Sequence, residues 1–453
     1  MKMEYDERDV VVVGGGPAGM SAAWELRDDG VLLLEQASRL GGRLKSLPRG
    51  EYWLNLGGHL VPGAGSRVYQ LFEELDVMTM PVPGNKFALT FEGKIYAKKH
   101  VQSYPFVLPL STRERMALAR VGLKMKTGVS GWKAASRPRR GETERASRAR
   151  MAGHLSDRSM RDYIGALPPR VDTIFQAAGR RAASELEEQS VAVGMSLFAA
   201  VWAGGALSLN VVGGSSRYPE TMRERLADRV LMGCEVTSVR PERAGAAVTF
   251  THDGADHMVW ARHVVMAVPA AVARRVVVGL PPEVDAALAD AVVGPFVSMG
   301  VLTGEQQAMP WDDIYAMTTP GHAFDMLFNH ANPLRHGARR PGGSIMVYSG
   351  GAQARRLMEV DDEKIRALYL ADLAKIMPEL DGQIVETIVQ RWPVGNSYRR
   401  PGMKFAAILR YCERQDTVVH VCGDYFAELG SIEVASSSGM EAALSARRGL
   451  RRM

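Results

Sequence analysis

The sequence predicts an α/β fold of two domains, and three features carry that expectation. At 453 residues the chain is roughly two to three times an ordinary single-domain length, so two intertwined or consecutive domains are expected. Val10-Val11-Val12-Val13 is an unbroken β-branched run, the pattern of a strand buried on both faces of a parallel sheet. A helical stretch, Met20 to Arg27, and a second apolar run, Val31 to Leu34, follow it in strand–helix–strand order.

The turn between the first strand and its helix is Gly14-Gly15-Gly16-Pro17-Ala18-Gly19. In that setting the glycines have separate roles. Gly14 permits the tight turn, Gly16 lets backbone approach a pyrophosphate, and Gly19 lets helix and strand pack closely. The helix N-terminus then faces the phosphate charge. The second strand ends at Glu35, about 20 residues beyond the first glycine. A carboxylate there accepts from ribose hydroxyls and repels a 2′-phosphate, which selects FAD or NAD over NADP.

Beyond that strand, Glu35, Arg39, Gly41, Gly42 and Arg43 form an E-x-x-x-R-x-G-G-R run, and Asn55-Leu56-Gly57-Gly58-His59 follows. Here the sequence resembles the flavin amine oxidase superfamily, which includes monoamine oxidases, protoporphyrinogen oxidases and phytoene-type desaturases. The resemblance continues through Val212-Gly213-Gly214 with Arg217, the short strands around Val236, Val264 to Pro269, and Val418 to Asp424 running into the helix from Ile432. It implies a two-domain FAD-binding fold of the Rossmann-like, glutathione-reductase type. The FAD domain is then discontinuous (1–80, 211–285 and 390–453), beside a mixed α+β substrate domain (81–210 and 286–389).

By the same resemblance FAD is held by Gly14, Gly16, Pro17, Ala18, Gly19, Glu35, Arg39, Gly42, Arg43, Gly57, Gly58, Val236, Gly423, Asp424 and Ile432. Gly42 and Arg43 lie along the pyrophosphate and ribityl chain. Gly57 and Gly58 lie against the isoalloxazine, Val236 backbone lies at the adenine, and Asp424 at the ribityl or pyrophosphate region. Ile432 opens a helix whose N-terminus aims an N–H at flavin O2, where the reduced ring carries negative charge.

The implied chemistry is two-electron oxidation, with hydride passing from a substrate carbon to flavin N5 and the protein supplying position and electrostatics. A C–N bond of an amine or amide-type metabolite is the expected target, and O2 the expected acceptor. C–C desaturation of protoporphyrinogen or polyene type is the alternative, and a non-catalytic FAD-binding partner protein is the alternative of another class. Three departures from the amine oxidases bear on that choice. Ser298 stands where those enzymes place a lysine, and the chain has no lysine between Lys133 and Lys364. Ser431 stands at one aromatic-cage position, leaving Tyr398 as the aromatic partner. No cysteine lies near Tyr398, so FAD is expected to be non-covalent.

His59, Trp392, Tyr398 and Ser298 are the substrate-pocket candidates, and no metal site is expected. Glu433 reads as a carboxylate at a helix N-terminus. The apolar segments Met195 to Trp202 and Phe324 to Phe328 read as core that could also wall a pocket. The uncharged stretch Gln189 to Ser216 is broken by five glycines and reads as a buried helix ending in a turn, so no transmembrane segment is expected. The net charge of +6 gathers in Arg137 to Arg150, read as an exposed or disordered loop, and in the tail from Arg447. Neither run interleaves aromatics as a nucleic-acid surface does. Three cysteines with no C-x-x-C pair and a charged start without a signal peptide give a cytoplasmic expectation. The partner is a small organic molecule, and relatives commonly form homodimers. The Arg- and Ala-rich composition suits a GC-rich bacterial genome, where such enzymes often serve specialised metabolism.

Overall fold

The computed structural model describes residues 7–83, 86–199, 208–335 and 339–452. The two β-branched runs become neighbouring parallel strands, Glu7–Val13 and Val31–Glu35, paired from Val10↔Val31 to Val13↔Leu34. Their side chains are buried on both faces, which is why they read as continuous apolar runs rather than as alternation. The sheet they centre runs Glu235–Glu242, Gly245–His252, Ala255–Met266, Glu7–Val13, Val31–Glu35, Val230–Met232. The long strand Ala255–Met266 has two uses. Its first half pairs antiparallel with Gly245–His252, and its end pairs in parallel with Val419–Val421.

A second seven-stranded sheet runs Ile384–Tyr398, Val292–Thr303, Gly343–Gly350, Met326–Asn329, Ala316–Thr318, Phe87–Phe91, Lys94–Lys98. Its strand Ile384–Tyr398 passes through residue 390, the last boundary expected from sequence, and pairs with Val292–Thr303 along nearly its whole length. Helices from residues 104–199 pack beside this sheet, around Leu118, Val121, Met125, Ile164, Phe175 and Met195. Among the described residues no helix is long and apolar enough to cross a membrane.

The helix Thr112–Ser136 is opened by a capping box between Ser111 and Glu114. The Arg-rich stretch is not merely a loop, because residues Glu144–Ala152 form a helix whose N-cap Thr143 accepts from Ala146 N. Arg150 bridges Glu142 (2.7 Å) and Arg148 reaches Glu441 (2.9 Å) and Ser437 (2.8 Å) on the last helix. Composition flagged charge; one partner, Glu142, is local, and those of Arg148 lie almost 300 residues away. In the uncharged stretch the helix is Val191–Ala199 and the strand Ser208–Val211; Trp202, Gly204 and Gly205 lie outside the described residues.

Candidate active site

The Gly-rich turn is shaped by close approach. Gly14 has φ +100°, and a Cβ there would lie 2.6 Å from Ala267 O. A methyl on Gly19 would overlap the Gly14 carbonyl, so the helix Pro17–Glu25 can sit on its strand only with glycine there. Gly16 is different. Its φ of −73° suits any residue, and among the described residues no atom beyond its chain neighbours lies within 4 Å of where its Cβ would be. The protein leaves that space open at a helix N-terminus, as a phosphate cradle requires. Glu35 closes the other side: one oxygen accepts from Gly15 N (2.5 Å) and the other from Ala37 N (2.8 Å). Its own carbonyl takes Cys234 N (2.9 Å), which brings the start of the strand bearing Val236 beside it. Val236 itself is buried in the core under the sheet.

Arg39 donates to the carbonyls of Leu40, Gly42 and Leu44, so its guanidinium ties down the loop that carries Gly41 (φ +103°) and Gly42 (φ +52°). Arg43 crosses to the far end of the chain, donating to Asp424 Oδ2 (2.8 Å) and Gly395 O (3.0 Å). Burial alone would raise the Asp424 carboxyl, but the Arg43 guanidinium holds it below its ordinary value. Gly423 N is held by Ser438 Oγ (3.0 Å), which fixes this turn on the last helix, Ile432–Leu450.

Gly57 and Gly58 pass directly against Arg43, with Gly58 N donating to Arg43 O (3.0 Å). The Leu56 carbonyl before them takes both Trp392 Nε1 (2.7 Å) and Ser298 Oγ (2.6 Å). These groups, with Pro17, Arg43, Asp424, Ser431 and Ile432, bound a cavity of about 340 Å³. Of the four pocket candidates His59, Trp392 and Ser298 line it. Tyr398 is not among its walls; it is buried against Ala182 and Val193. The aromatic walls are instead Phe296, Phe328, Tyr348 and Trp392, of which the sequence pattern had pointed only to Trp392 and the segment containing Phe328. Phe324, from that same segment, is core. Phe296 and Tyr348 sit on neighbouring strands, their rings 5.1 Å apart; nothing local in sequence marks that pairing.

His59 sits where the Gly57-Gly58 segment ends. Its Nδ1 is 3.1 Å from Gly57 O, which can only accept, so Nδ1 carries the proton and Nε2 is a bare acceptor. Nε2 is buried without a hydrogen-bond partner among the described residues, and burial pushes the ring down to about 4. His330 packs edge-on at 4.6 Å, with Nδ1 at 3.2 Å from Asn55 Nδ2. Burial pushes His330 well below its ordinary value too, the His59 ring acting in the same direction. Glu433, read as a carboxylate of its own helix, caps another: its oxygens accept from Arg67 N (2.8 Å) and Val68 N (3.0 Å), the first turn of Arg67–Glu74.

A mixed sheet with parallel central strands, a glycine cradle at its first helix and a cleft opening from it define a dinucleotide-binding α/β protein. Residues 17–445 match the model of the flavin containing amine oxidoreductase family, and the chain belongs to that family; its cofactor is FAD. A probable flavin-containing monoamine oxidase A of Dictyostelium discoideum is 37% identical over 89 residues, 19% of this chain and 20% of that protein. Amine oxidase [flavin-containing] B of Homo sapiens is 43% identical over 77 residues, 16% of this chain and 15% of that one. The matches thus span a fifth or less of these curated relatives. Cyclohexylamine oxidase from Brevibacterium oxydans has the same fold, with a TM-score of 0.76 at 17% identity, covering 98% of this chain and 100% of that one. A putrescine oxidase structure gives 0.73 at 19% identity, covering 97% and 98%.

Proposed function

We propose that this protein oxidises the C–N bond of an amine, on the single observation that carries most weight: a neutral imidazole acceptor, His59 Nε2, buried in the aromatic-walled cavity beside Gly57 and Gly58. FAD, when bound, accepts the hydride from the substrate carbon at its N5. Gly14, Gly16, Pro17, Ala18, Gly19 and Glu35 would hold its pyrophosphate and ribose. Arg39, Gly42, Arg43, Val236, Gly423 and Asp424 would hold the remaining length, and Gly57, Gly58 and Ile432 would meet the ring. None of the three cysteines lines the cavity, which supports non-covalent binding.

Burial in the aromatic-walled cavity disfavours an ammonium and so favours the uncharged nitrogen, whose lone pair the oxidation needs, while His59 Nε2 accepts a hydrogen bond from its N–H and orients it. The position of His59 is fixed by Gly57 O and His330. Trp392 and Ser298 both donate to the Leu56 carbonyl, which satisfies it and fixes the backbone leading into Gly57 and Gly58. The aromatic walls exclude water from the reacting carbon. The division of the chain into FAD segments 1–80, 211–285 and 390–453 and substrate segments 81–210 and 286–389 is part of this proposal, with the boundary at 390 falling inside the strand Ile384–Tyr398.

The decisive experiment is anaerobic titration of purified holoenzyme with a panel of primary and secondary amines, followed by the visible flavin spectrum. Bleaching by an amine, with the flavin released by acid as free FAD, is the expected result. A flavin that tetrapyrroles or polyenes bleach and no amine does would replace C–N oxidation by C–C desaturation. One that nothing reduces would favour a binding protein. Desaturation stays as the second reading because a larger apolar cavity, walled by Leu89, Leu118 and Phe175, adjoins this one.

A further inference from the structure

Two cavities meet at Leu60, Arg181 and Phe328, which wall both. The inner one holds His59 and the glycine segment. The outer one, about 480 Å³, is walled mainly by apolar side chains such as Leu89, Leu118, Met125 and Phe175. Its described walls carry three cations, Lys86, Lys126 and Arg181, and no carboxylate. Lys86 is paired with Asp313, and Lys126 is exposed on its helix. In the inner cavity the one carboxylate among the walls, Asp424, is taken by Arg43.

Arg181 is the exception. It is half-buried at the junction, with no ion-pair partner among the described residues. The neighbouring Arg180 takes the local carboxylates, Glu185 (2.9 Å) and Asp325 (3.3 Å). Arg181 shares the wall of the inner cavity with the neutral Tyr348 hydroxyl. A guanidinium withdrawn from water onto a cavity wall is stabilised by an anion, and its planar fork matches a carboxylate. A second ammonium on the substrate would meet cations along the whole path and no free carboxylate.

We propose that Arg181 is the anchor for a carboxylate on the substrate, and that the enzyme acts on amines combining that carboxylate with a bulky apolar body, such as an amino acid with a large side chain. The apolar body occupies the outer cavity, the carboxylate sits at the junction, and the nitrogen reaches His59. This rests on the amine-oxidising reading above. In the overall step the C–H bond gives a hydride to the flavin, the nitrogen gives up a proton, and the product is an imine that water hydrolyses.

The probes are 3-phenylpropionate, its amide, phenethylamine and 1,4-diaminobutane, titrated into oxidised holoenzyme by calorimetry and by the flavin spectrum. 3-Phenylpropionate is expected to bind on the order of 30-fold tighter than the amide, the worth of a charge-assisted pair. Arg181→Met should erase that difference and leave amide binding unchanged, and Arg181→Lys should restore part of it. Equal binding of acid and amide to the unaltered protein overturns the proposal without need of any variant, as does tighter binding of 1,4-diaminobutane than of phenethylamine. If the acid binds through Arg181 but no amine, with or without a carboxylate, bleaches the flavin, the anion site stands and amine oxidation falls. If phenethylamine bleaches it and the acid does not bind, the reverse holds.

Discussion

At the scale of single residues, two glycines three positions apart are expected to fail in different ways. Gly19→Ala sets a methyl on the Gly14 carbonyl, so backbone must move; overpacking of this kind costs about 1–3 kcal/mol, and thermal unfolding of the apoprotein should show it. Gly16→Ala meets no protein atom, so the apoprotein should melt within about 1 °C of the unaltered chain, its cost falling instead on FAD affinity. Equal destabilisation of both apoproteins would mean that the open space at Gly16 belongs to the protein and not to a phosphate. His59 makes a pH-dependent contribution. Its folded value of about 4 lies below the ordinary 6.5, so the unfolded chain binds the proton more readily. Stability from this neutral ring is present above pH 6.5 and is lost as pH falls toward 4, on the order of 3 kcal/mol at most. His59→Asn should flatten the acid limb of a urea-midpoint-against-pH curve over that window, and an unchanged limb would count against a buried neutral imidazole.

At the scale of elements, the first strands and turn were legible because their constraints are local: Gly14, Gly16, Gly19 and Glu35 lie within 22 residues of one chain segment and carry the backbone geometry themselves. The last helix was legible for the same reason. What could not be read were contacts made by long-range registry. Tyr398 looked like a pocket wall because the resemblance made it the aromatic partner opposite Ser431, yet it sits six residues from Trp392 on one strand, and Trp392 lines the cavity while Tyr398 packs on Ala182. Glu433 looked like a carboxylate for its own helix because periodicity shows only its own helix. Its actual partners, Arg67 and Val68, lie 366 and 365 residues away. Removing it by Glu433→Ala leaves two N–H groups of the helix Arg67–Glu74 without this acceptor. A loss of about 1–2 kcal/mol is expected in urea unfolding, with the pH profile of flavin reduction unmoved. A shifted profile would instead place Glu433 in the chemistry as a proton carrier.

At the scale of the whole molecule, the cleft is assembled from segments that share nothing in sequence: the turn at Gly16, the run at Gly57, and the turn and helix from Asp424 to Ile432. Cross-chain bonds hold the first segment to the last long strand, Lys45 to Gln390 (2.6 Å), Arg49 to Glu386 (2.5 Å), Arg43 to Gly395. A ligand that touches all three segments can be bound only when all three are in place, so FAD binds the native state and not the unfolded one. Linkage then sets the size of the effect. Free FAD at 100 times its Kd stabilises the fold by about 2.7 kcal/mol, and each further tenfold adds about 1.4 kcal/mol. For a chain of 453 residues the unfolding entropy is roughly 1 kcal/mol per degree. The melting midpoint of the apoprotein should therefore rise by about 3 °C at 100-fold excess and by about 1.5 °C for the next decade. Riboflavin, which lacks the pyrophosphate and adenosine that the Gly16 cradle and Glu35 are placed to meet, should give a smaller rise. Gly16→Ala should shift the FAD curve to higher concentration with its slope preserved, since the slope counts ligands released on unfolding and the position reports affinity. A midpoint indifferent to FAD would mean that the native state does not bind it in preference to the unfolded chain, and the visible spectrum of the same sample shows whether any flavin is bound.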